Sequence, residues 1–250
     1  MTPQQLRNSI LQMAIEGKLT RQLPEDGNAA DLLKKIKAEK AKLIKEKKIK
    51  KEKPLPPITE DEIPFEIPDN WKWCYISDIA FVTKLAGFEY TKNINPNIQN
   101  EGIPLFKGKN VQNGRLVYDF EGYIPEEISD ALPRSQIINK CLLTPYVGTI
   151  GNIAIFPGTF KAHLGSNVGK IEIFNNHEIH VLDEYVLYYL RSRSGYKELT
   201  KYKKATAQES ISIEAIRNVL LPVPPINVQK RIVARLEQLL PLCDELMKHG

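Results

Sequence analysis

Ile232, Leu236, Leu239, Cys243 and Leu246 recur at spacings of four, three, four and three, the a and d positions of a coiled-coil seam. Val233, Leu240 and Met247 repeat at seven beside them and widen the stripe. The pattern covers only two heptads, and an isolated helix that short is marginal in water. Whatever else the chain folds into must therefore supply a helical partner for its C-terminus. Two sources are open: the N-terminal helices of the same chain or those of another molecule. The helix is expected to begin near Asn227. Pro241 stands inside the seam, lacks an amide hydrogen and is expected to kink or split it.

The N-terminus offers one such partner. Thr2 sits at the N-cap, Pro3 at the first helical position and Gln5 at the third, the pattern of a capping box. Leu6, Ile10, Met13 and Gly17 follow at spacings of four, three and four. Leu6, Ile10 and Met13 are the expected counterpart of the C-terminal seam, and Gly17 is the expected stop. A second helix is expected over residues 29–51, where Leu32, Leu33, Ile36, Leu43 and Ile44 make an interrupted apolar stripe. Lys53-Pro-Leu-Pro-Pro57 then turns the chain into an extended linker.

Residues 71–224 read differently. The runs at 71–76, 115–120, 152–156 and 168–174 are strand-like, and Gly102, Gly108, Gly122, Gly148, Gly151 and Gly158 punctuate the region as turns. A helix is expected over 183–191, with Tyr185, Leu187, Tyr188 and Leu190 as its apolar content, and another over 196–202. Strands and helices do not alternate as βαβ units. The expected fold class is α+β, a β-rich domain flanked by long helices that form an antiparallel coiled-coil-like spacer. The expected division is 1–57 for the N-terminal helices and linker, 58–224 for the β-rich domain and 225–250 for the C-terminal helix.

At 250 residues the chain can build one sizeable core plus helical appendages. No apolar run reaches the roughly 18 residues of a membrane span, and the polar start MTPQQLRNS is unlike a signal peptide. Cys74, Cys141 and Cys243 are odd in number and widely spaced, which argues against a disulfide framework and for a reducing, cytoplasmic setting. The net charge of +5 is unevenly spread. Residues 34–53 carry eleven Lys and three Glu, a net +8, leaving the remainder at −3. That run reads either as a phosphate-binding strip or as a solvated helix face. Overall charge therefore does not argue for DNA binding.

Catalytic signatures are missing. No G-x-x-x-x-G-K-[ST] stretch cradles a phosphate. Asn95-Pro-Asn-Ile98 does not match the Asn-Pro-Pro-aromatic tetrapeptide of adenine methyltransferases, and no Glu-x-Lys follows Pro68-Asp69 as one nuclease pattern requires. His177 and His180 have no nearby Cys to complete a zinc set and read as exposed turn residues. Glu126-Glu127 reads as a solvated helix face. No metal or cofactor is expected in this chain.

Other stretches carry a different signal. They are Met13-Ala-Ile-Glu-Gly-Lys-Leu19, Ala38-Glu-Lys-Ala-Lys-Leu43 and Glu52-Lys-Pro-Leu-Pro-Pro57, then Gly102-Ile-Pro-Leu-Phe-Lys-Gly-Lys-Asn-Val111 and Tyr123-Ile-Pro-Glu-Glu-Ile128. Cys141-Leu-Leu-Thr144 with Gly148-Thr-Ile-Gly-Asn152 follows, and the series ends in TAQESISIEAIRNVLLPVPPINVQKRIVARLEQLL at 206–240. Taken in this order, the set resembles the DNA-specificity subunit of Type I restriction-modification systems: spacer helices, one target recognition domain, and a returning spacer helix. The resemblance implies that residues 58–224 are the recognition domain. It also implies a chain without chemistry of its own that reads double-stranded DNA for enzymes bound beside it. Those partners would be a methyltransferase (modification) subunit, which binds S-adenosylmethionine and methylates adenine at N6, and a restriction (motor-nuclease) subunit driven by ATP with Mg.

A complete family subunit carries two recognition domains separated by two long antiparallel helices, whereas this chain has one. The family's central spacer would read as Leu239-Leu-Pro-Leu-Cys-Asp-Glu-Leu246 running on into Leu6-Arg-Asn-Ser-Ile-Leu-Gln-Met-Ala14, halves that here lie at opposite ends. Two copies head to tail would rebuild the whole. The resemblance thus implies a half-length subunit that forms a two-fold homodimer on a symmetric bipartite site, with Leu6, Ile10, Met13, Ile232, Leu236, Leu239, Cys243 and Leu246 in the seam. The alternative is an assembly module that exchanges with full-length specificity subunits without reading DNA itself. A self-contained enzyme is a third reading, opposed by the missing catalytic signatures.

Sequence discrimination needs donors and acceptors at base edges in the major groove. The polar-loop candidates are Lys84, Tyr90, Thr91, Lys92, Lys107, Lys109, Asn110, Asn113, Arg115, Thr149, Asn152, His163, Ser166, Asn167, Lys203, Lys204, Gln208 and Ser210. Asn and Gln can pair bidentately with adenine, Arg or Lys with guanine, each contact discriminating by roughly 1–3 kcal/mol. Structural alternatives stand beside these roles. Gly148–Gly151 reads as a turn the fold requires rather than as a base reader, and Asn152 and Asn167 read also as residues that tie loops. Thr206, Gln208 and Ser210 could order the segment before a Ser212-led helix, Lys203 and Lys204 suit phosphates better than bases, and Tyr188 and Tyr189 suit a core.

Overall fold

The computed structural model describes residues 1–176, 179–203 and 209–249. The chain begins with α1 (Pro3–Ile15), α2 (Ala29–Lys45), β1 (Lys72–Tyr75), α3 (Ile76–Ile79), β2 (Ala80–Lys84) and α4 (Gly87–Glu89). There follow β3 (Ile103–Phe106), β4 (Val111–Gln112), β5 (Arg115–Leu116), β6 (Tyr123–Ile124), α5 (Glu126–Asp130), β7 (Gln136–Ile137) and β8 (Cys141–Pro145). Next come β9 (Ala154–Phe156), β10 (Ala162–Leu164), β11 (Val168–Ile173), α6 (Asp183–Arg191), α7 (Arg193–Thr200), α8 (Ile213–Arg217), β12 (Leu220–Val223) and α9 (Ile226–His249). The class is α+β. Two compact units result: a helical unit of Met1–Ile79, Phe174–Glu198 and Asn218–Gly250, and a β unit of Ala80–Ile173 and Leu199–Arg217. The sequence places residues 58–79, 174–198 and 218–224 with the β-rich region; the structure packs them with the helices.

In the helical unit, Thr2 caps α1 as its residue type demands. Its Oγ1 accepts from the Gln5 amide at 3.2 Å, and the Gln5 side chain accepts from the Thr2 amide at 2.8 Å. The helix stops in a Schellman turn, with Lys18 N–H on Met13 O, Gly17 N–H on Ala14 O, and Gly17 at φ +73°. α2 stops the same way at Lys45, short of the expected residue 51. Lys48 donates to Leu43 O and Lys47 to Ile44 O, while Lys47 itself takes φ +58°.

α1 packs on α9, and α6 on both. Arg7 reaches Asp244 at 2.6 Å, and Asp26, just beyond α1, meets Arg231 at 2.7 Å near the other end of α9, so the two helices run in opposite directions. The C-terminal helix thus finds its partner in its own chain. Ile232, Leu236 and Cys243 are buried there, Leu239 is half-buried and Leu246 is 52% exposed. On α1 the expected stripe is corrected: Leu11, Ala14 and Ile15 are buried, Leu6 and Ile10 half-buried, and Met13 exposed. Leu11, Ala14 and Ile15 share one face at i, i+3 and i+4, where the small Ala14 counts as apolar. Seam positions buried in this way are taken up inside the chain and cannot also form a seam with a second copy. Nor does Pro241 split α9. Pro241 and Glu237, whose carbonyl loses its helical donor, lie on the exposed side, where water can satisfy that carbonyl.

β1 and β12 pair antiparallel, Lys72 opposite Val223 through Tyr75 opposite Leu220. The buried Tyr185 donates to Pro222 O at 2.7 Å and the buried Tyr189 to Leu220 O, fixing α6 on this ribbon; Tyr188 is half-buried. Trp71 is buried and donates to Gln22 at 2.9 Å. α7 starts at Arg193 rather than 196 because Ser192 caps it, accepting from Gly195 N–H at 3.1 Å.

The β unit contains sheets ordered β6-β3-β10-β7 and β2-β11-β8-β9, and a β4–β5 hairpin. Among the described residues only β3 and β10 pair in parallel. Leu105, Phe106, Leu143, Phe156, Leu164 and Val168 are fully buried in one core, with Phe106 edge-on to Phe120 at 5.1 Å and Phe156 at 5.6 Å. Of the expected strand 115–120 only Arg115–Leu116 pairs, because Tyr118 and Phe120 turn their rings onto Phe106 instead.

Candidate nucleic-acid interface

β2 ends at Lys84, β8 ends at Pro145 and β11 begins at Val168. Register brings these points together: Lys84 and Thr144 both lie opposite Gly169, and Pro145 lies opposite Val168. The loops after β2 and β8 and before β11 therefore leave one end of one sheet side by side. Other segments join them. Gly108 N–H donates to Ser166 O at 3.2 Å, bringing residues 107–110 to the loop before β11. Gly148 N–H donates to Glu209 O at 3.0 Å and Ile211 N–H to Tyr146 O at 2.9 Å, tying 209–211 to the loop after β8. The tip of the β4–β5 hairpin is held by Gly114 N–H on Ile153 O at 2.9 Å.

This cluster gathers Lys84, Lys107, Lys109, Asn113, Arg115, Thr149, Asn152, Ser166, Asn167 and Ser210, with Lys203 joined through its 2.7 Å pair to Glu209. Lys109, Asn113, Arg115, Thr149, Asn167 and Lys203 are exposed, and Lys84, Lys107, Asn152, Ser166 and Ser210 half-buried. Tyr90, Thr91 and Lys92 lie just beyond α4, Tyr90 half-buried and the other two exposed. Lys204, Thr206 and Gln208, like His177, lie outside the described residues.

Two candidates are corrected. Asn110 is buried; its Oδ1 accepts from the Lys107 amide and its Nδ2 donates to Val117 O and Asp119 O, each at 2.9 Å. Those bonds use the amide edge that adenine would need. His163 is fully buried in β10, its Nδ1 2.8 Å from Leu164 O, and burial holds its pKa below the usual histidine range. Neither side chain can reach a base edge. Asn152 Nδ2 ties Val111 O at 3.2 Å and so has the loop-tying role, whereas Asn167 takes the left-handed φ of +64° that Asn tolerates and leaves its side chain exposed. Gly148 at φ +83° and Gly151 at φ +95° make their segment a turn the fold requires, which leaves Thr149 exposed on it.

The rim is a mixture of charges rather than a basic plate. Lys107 meets Glu121 at 3.0 Å, and Lys109 meets Glu121 at 2.8 Å and Asp119 at 3.4 Å. Lys109, then Lys107, holds the Glu121 carboxyl below its usual range, and Glu121 in turn raises Lys109. Exposed pairs of this kind contribute little to stability and are exchangeable, so a phosphate can displace the carboxylate. Lys84 Nζ lies 4.4 Å from the centre of the Tyr146 ring, whose phenol is raised by burial. Tyr146 and Phe88, the latter 72% exposed four residues beyond Lys84, escape the sequence reading. No local pattern separates an aromatic at a rim from one in a core.

Among the described residues no group of three or more His, Cys, Asp or Glu could hold a metal, and no helix is long and apolar enough to cross a membrane. What the cluster offers is an array of amide, hydroxyl, ammonium and guanidinium groups on loops fixed by a sheet. Residues 68–250 match the Type I restriction modification DNA specificity domain. The chain belongs to that specificity family. Across 96% of its length it is 31% identical to the EcoAI specificity subunit and 30% identical to the EcoEI specificity subunit, both of Escherichia coli. It covers 40% and 41% of those proteins, and so spans about two fifths of the curated relatives it matches. Two solved structures share the fold of this specificity-family chain. One is a chain from work on complex assembly and conformational transition of the type I R-M system, with TM-score 0.55 and 17% identity over 88% of this chain and 49% of that one. The other is the HsdS subunit from Thermoanaerobacter tengcongensis, with TM-score 0.52 and 17% identity over 99% and 48%.

Proposed function

We propose that the β unit is a target recognition domain that reads one half of a bipartite site in double-stranded DNA through the major groove. The observation that carries this is the convergence of polar loops at one end of the β2–β11–β8 sheet, with exposed Asn113, Arg115, Thr149 and Asn167 in base-reading roles and Lys84, Lys107, Lys109 and Lys203 on phosphates. In this reading the chain is a non-catalytic specificity subunit. A modification subunit holding S-adenosylmethionine and a restriction subunit using ATP and Mg dock on its helices, which act as a spacer.

The pairing of copies takes a revised form. The inner seam is occupied within the chain, so a head-to-tail homodimer would use Leu239, Leu242 and Leu246, an exposed or half-exposed stripe at three- and four-residue spacing near the end of α9. That same stripe favours the second reading, an assembly module that exchanges with full-length specificity subunits. Selection from a random duplex library separates the two. Enrichment of a bipartite, palindromic motif supports direct reading by a dimer; recovery of unselected sequence, with capture of a full-length specificity subunit, supports the assembly module.

A further inference from the structure

The lysine-rich run resolves into a face. On α2, Leu32, Leu33, Ile36, Leu43 and Ile44 lie toward the body of the helical unit, with Ile36 buried and the others half-buried. Lys34, Lys35, Lys42 and Lys45 are exposed and fall within roughly a 100° arc on the opposite side. Lys47, Lys48, Lys50, Lys51 and Lys53, all exposed, extend the run beyond the Schellman turn. The acids nearby are mostly engaged elsewhere: Glu52 meets Lys40 at 3.3 Å, Glu46 meets Lys48 at 2.8 Å, and Glu39 accepts from Asn176 at 2.9 Å. Asp31, at the N-terminal end of the arc, is its sole carboxylate. Among the described residues no ion pair within 4 Å or side-chain hydrogen bond engages Lys34, Lys35, Lys42 or Lys45, although Lys42 helps Lys48 hold the Glu46 carboxyl below its usual range.

From this we infer a second nucleic-acid contact, in which the lysine face of α2 binds the phosphate backbone of duplex DNA without regard to sequence. The inference rests on the DNA reading of the β unit but concerns a different surface and a different kind of contact. From Lys34 to Lys45 the helix rises about 16 Å, and a duplex presents one charge per roughly 1.7 Å of axis. Ammonium groups are point charges that suit backbone contact rather than the forked recognition of bases. A protein partner fits less well, because interface cores are depleted in lysine and this face offers no aromatic or large apolar anchor. A bilayer fits less well too, because the apolar side of the helix is turned inward and is not available to insert.

The test uses the full chain carrying Lys34→Gln, Lys35→Gln, Lys42→Gln and Lys45→Gln, beside a variant with Arg at the same four positions. Glutamine keeps helix propensity at exposed sites, and circular dichroism verifies the fold. The slope of log affinity against log salt is read on a random-sequence duplex several turns long. Each lost phosphate contact should flatten the slope by about 0.9, so the Gln variant is expected to lose about 3 or more, and the Arg variant to keep the wild-type slope. Preference for any enriched motif over random sequence should stay as in wild type. An unchanged slope in the Gln variant overturns the inference; if binding to poly-glutamate is lost at the same time, the face belongs to an acidic protein instead. A flattened slope in a protein that enriches no motif sustains the lysine face and removes the base-reading role of the β unit.

Discussion

The helical unit and the β unit both tie distant stretches of chain with polar side chains, as Arg217 does on Val82 O in the β unit, but they differ in where their charged pairs sit. In the helical unit these groups tie distant stretches of chain: Arg231 to Asp26, Arg7 to Asp244, Gln12 to Ser194, Trp71 to Gln22. The Asp26 side chain is 1% exposed, so that pair is a fixed part of the fold. In the β unit an aromatic core does the holding, and charged groups such as Lys109, Asp119 and Glu121 pair at the rim, where both partners remain wet. The contrast marks where each unit can change partners. One closes a charged pair away from water to fix its own shape; the other, besides the ties of Asn152 and Arg217, keeps charged pairs at its rim that can be exchanged, as the proposed contact with phosphates would require.

The sharpest break of the helical unit is at its turns. Gly17→Ala forces a left-handed backbone on an L-residue, and the new Cβ would lie 2.6 Å from Pro68 Cγ and 3.3 Å from Trp71 Cζ2. Left-handed strain of ~1–2 kcal/mol and overpacking of ~1–3 kcal/mol give an expected loss of about 3 kcal/mol. Both tryptophans, Trp71 and Trp73, belong to this unit, so urea titration followed by tryptophan fluorescence reads it directly. Lys47→Gly, at the same position of the same motif after α2, is expected to act in the other direction. It relieves left-handed strain, offset by the freedom glycine adds to the unfolded chain, for a net gain of about 0.5 kcal/mol. Opposite signs at matched positions would be strong support; a loss at Lys47→Gly would mean its side chain makes a contact that outweighs the strain.

The same two turns explain what was legible. The capping box, the Gly17 stop, the helix over 183–191 and the helix α9 are local signals, and each is found where the residues put it, although Leu239 and Leu246 of the α9 heptads stay partly exposed. The α2 stop is invisible because Lys47 carries no glycine's signature. Pairing in the β unit is non-local: β3 and β10 lie side by side although His163 and its partner Leu105 are far apart in sequence, and several strands have only two residues. One local signal was available, since Asn113-Gly114 between Gln112 and Arg115 is a two-residue hairpin turn, and a base-contact reading of Asn113 passes over it. As for the candidate interface, the polar loops were legible but their convergence was not. Nothing in the sequence distinguishes Asn110, which turns inward to three backbone groups, from Asn167, which turns out.

Acid should separate the two units. Burial holds His163 below the usual histidine range, so as pH falls through about 6.5 the unfolded chain takes a proton that the folded β unit refuses. Stability of the β unit is therefore expected to decline below that pH. In the helical unit the Arg231 hydrogen bonds hold Asp26 below the usual carboxylate range. That contribution is present above about 3.9 and is lost only as pH falls through the depressed value. Hydrogen exchange on assigned amides, followed between pH 7 and 5, should show protection falling in β8, β10 and β11 while α1 and α9 hold. Protection falling equally in both would sink the contrast.

The smallest effect on stability should be the largest on binding. Glu121 accepts from Lys107 and Lys109 at the rim and is itself exposed, so Glu121→Gln is expected to leave the unfolding midpoint where it was. It also releases Lys107 and leaves Lys109 only its 3.4 Å contact with Asp119, so a phosphate has less carboxylate to displace. Affinity for duplex DNA should rise severalfold, with a steeper salt dependence, because more counterions are displaced on binding. Asp119→Asn, which frees only the longer 3.4 Å contact of Lys109, should move affinity the same way by less. An affinity that stayed flat in both variants while the midpoint dropped would mean these carboxylates hold the loop in place. The polar groups at the rim of the β unit would then fix its shape just as those of the helical unit do.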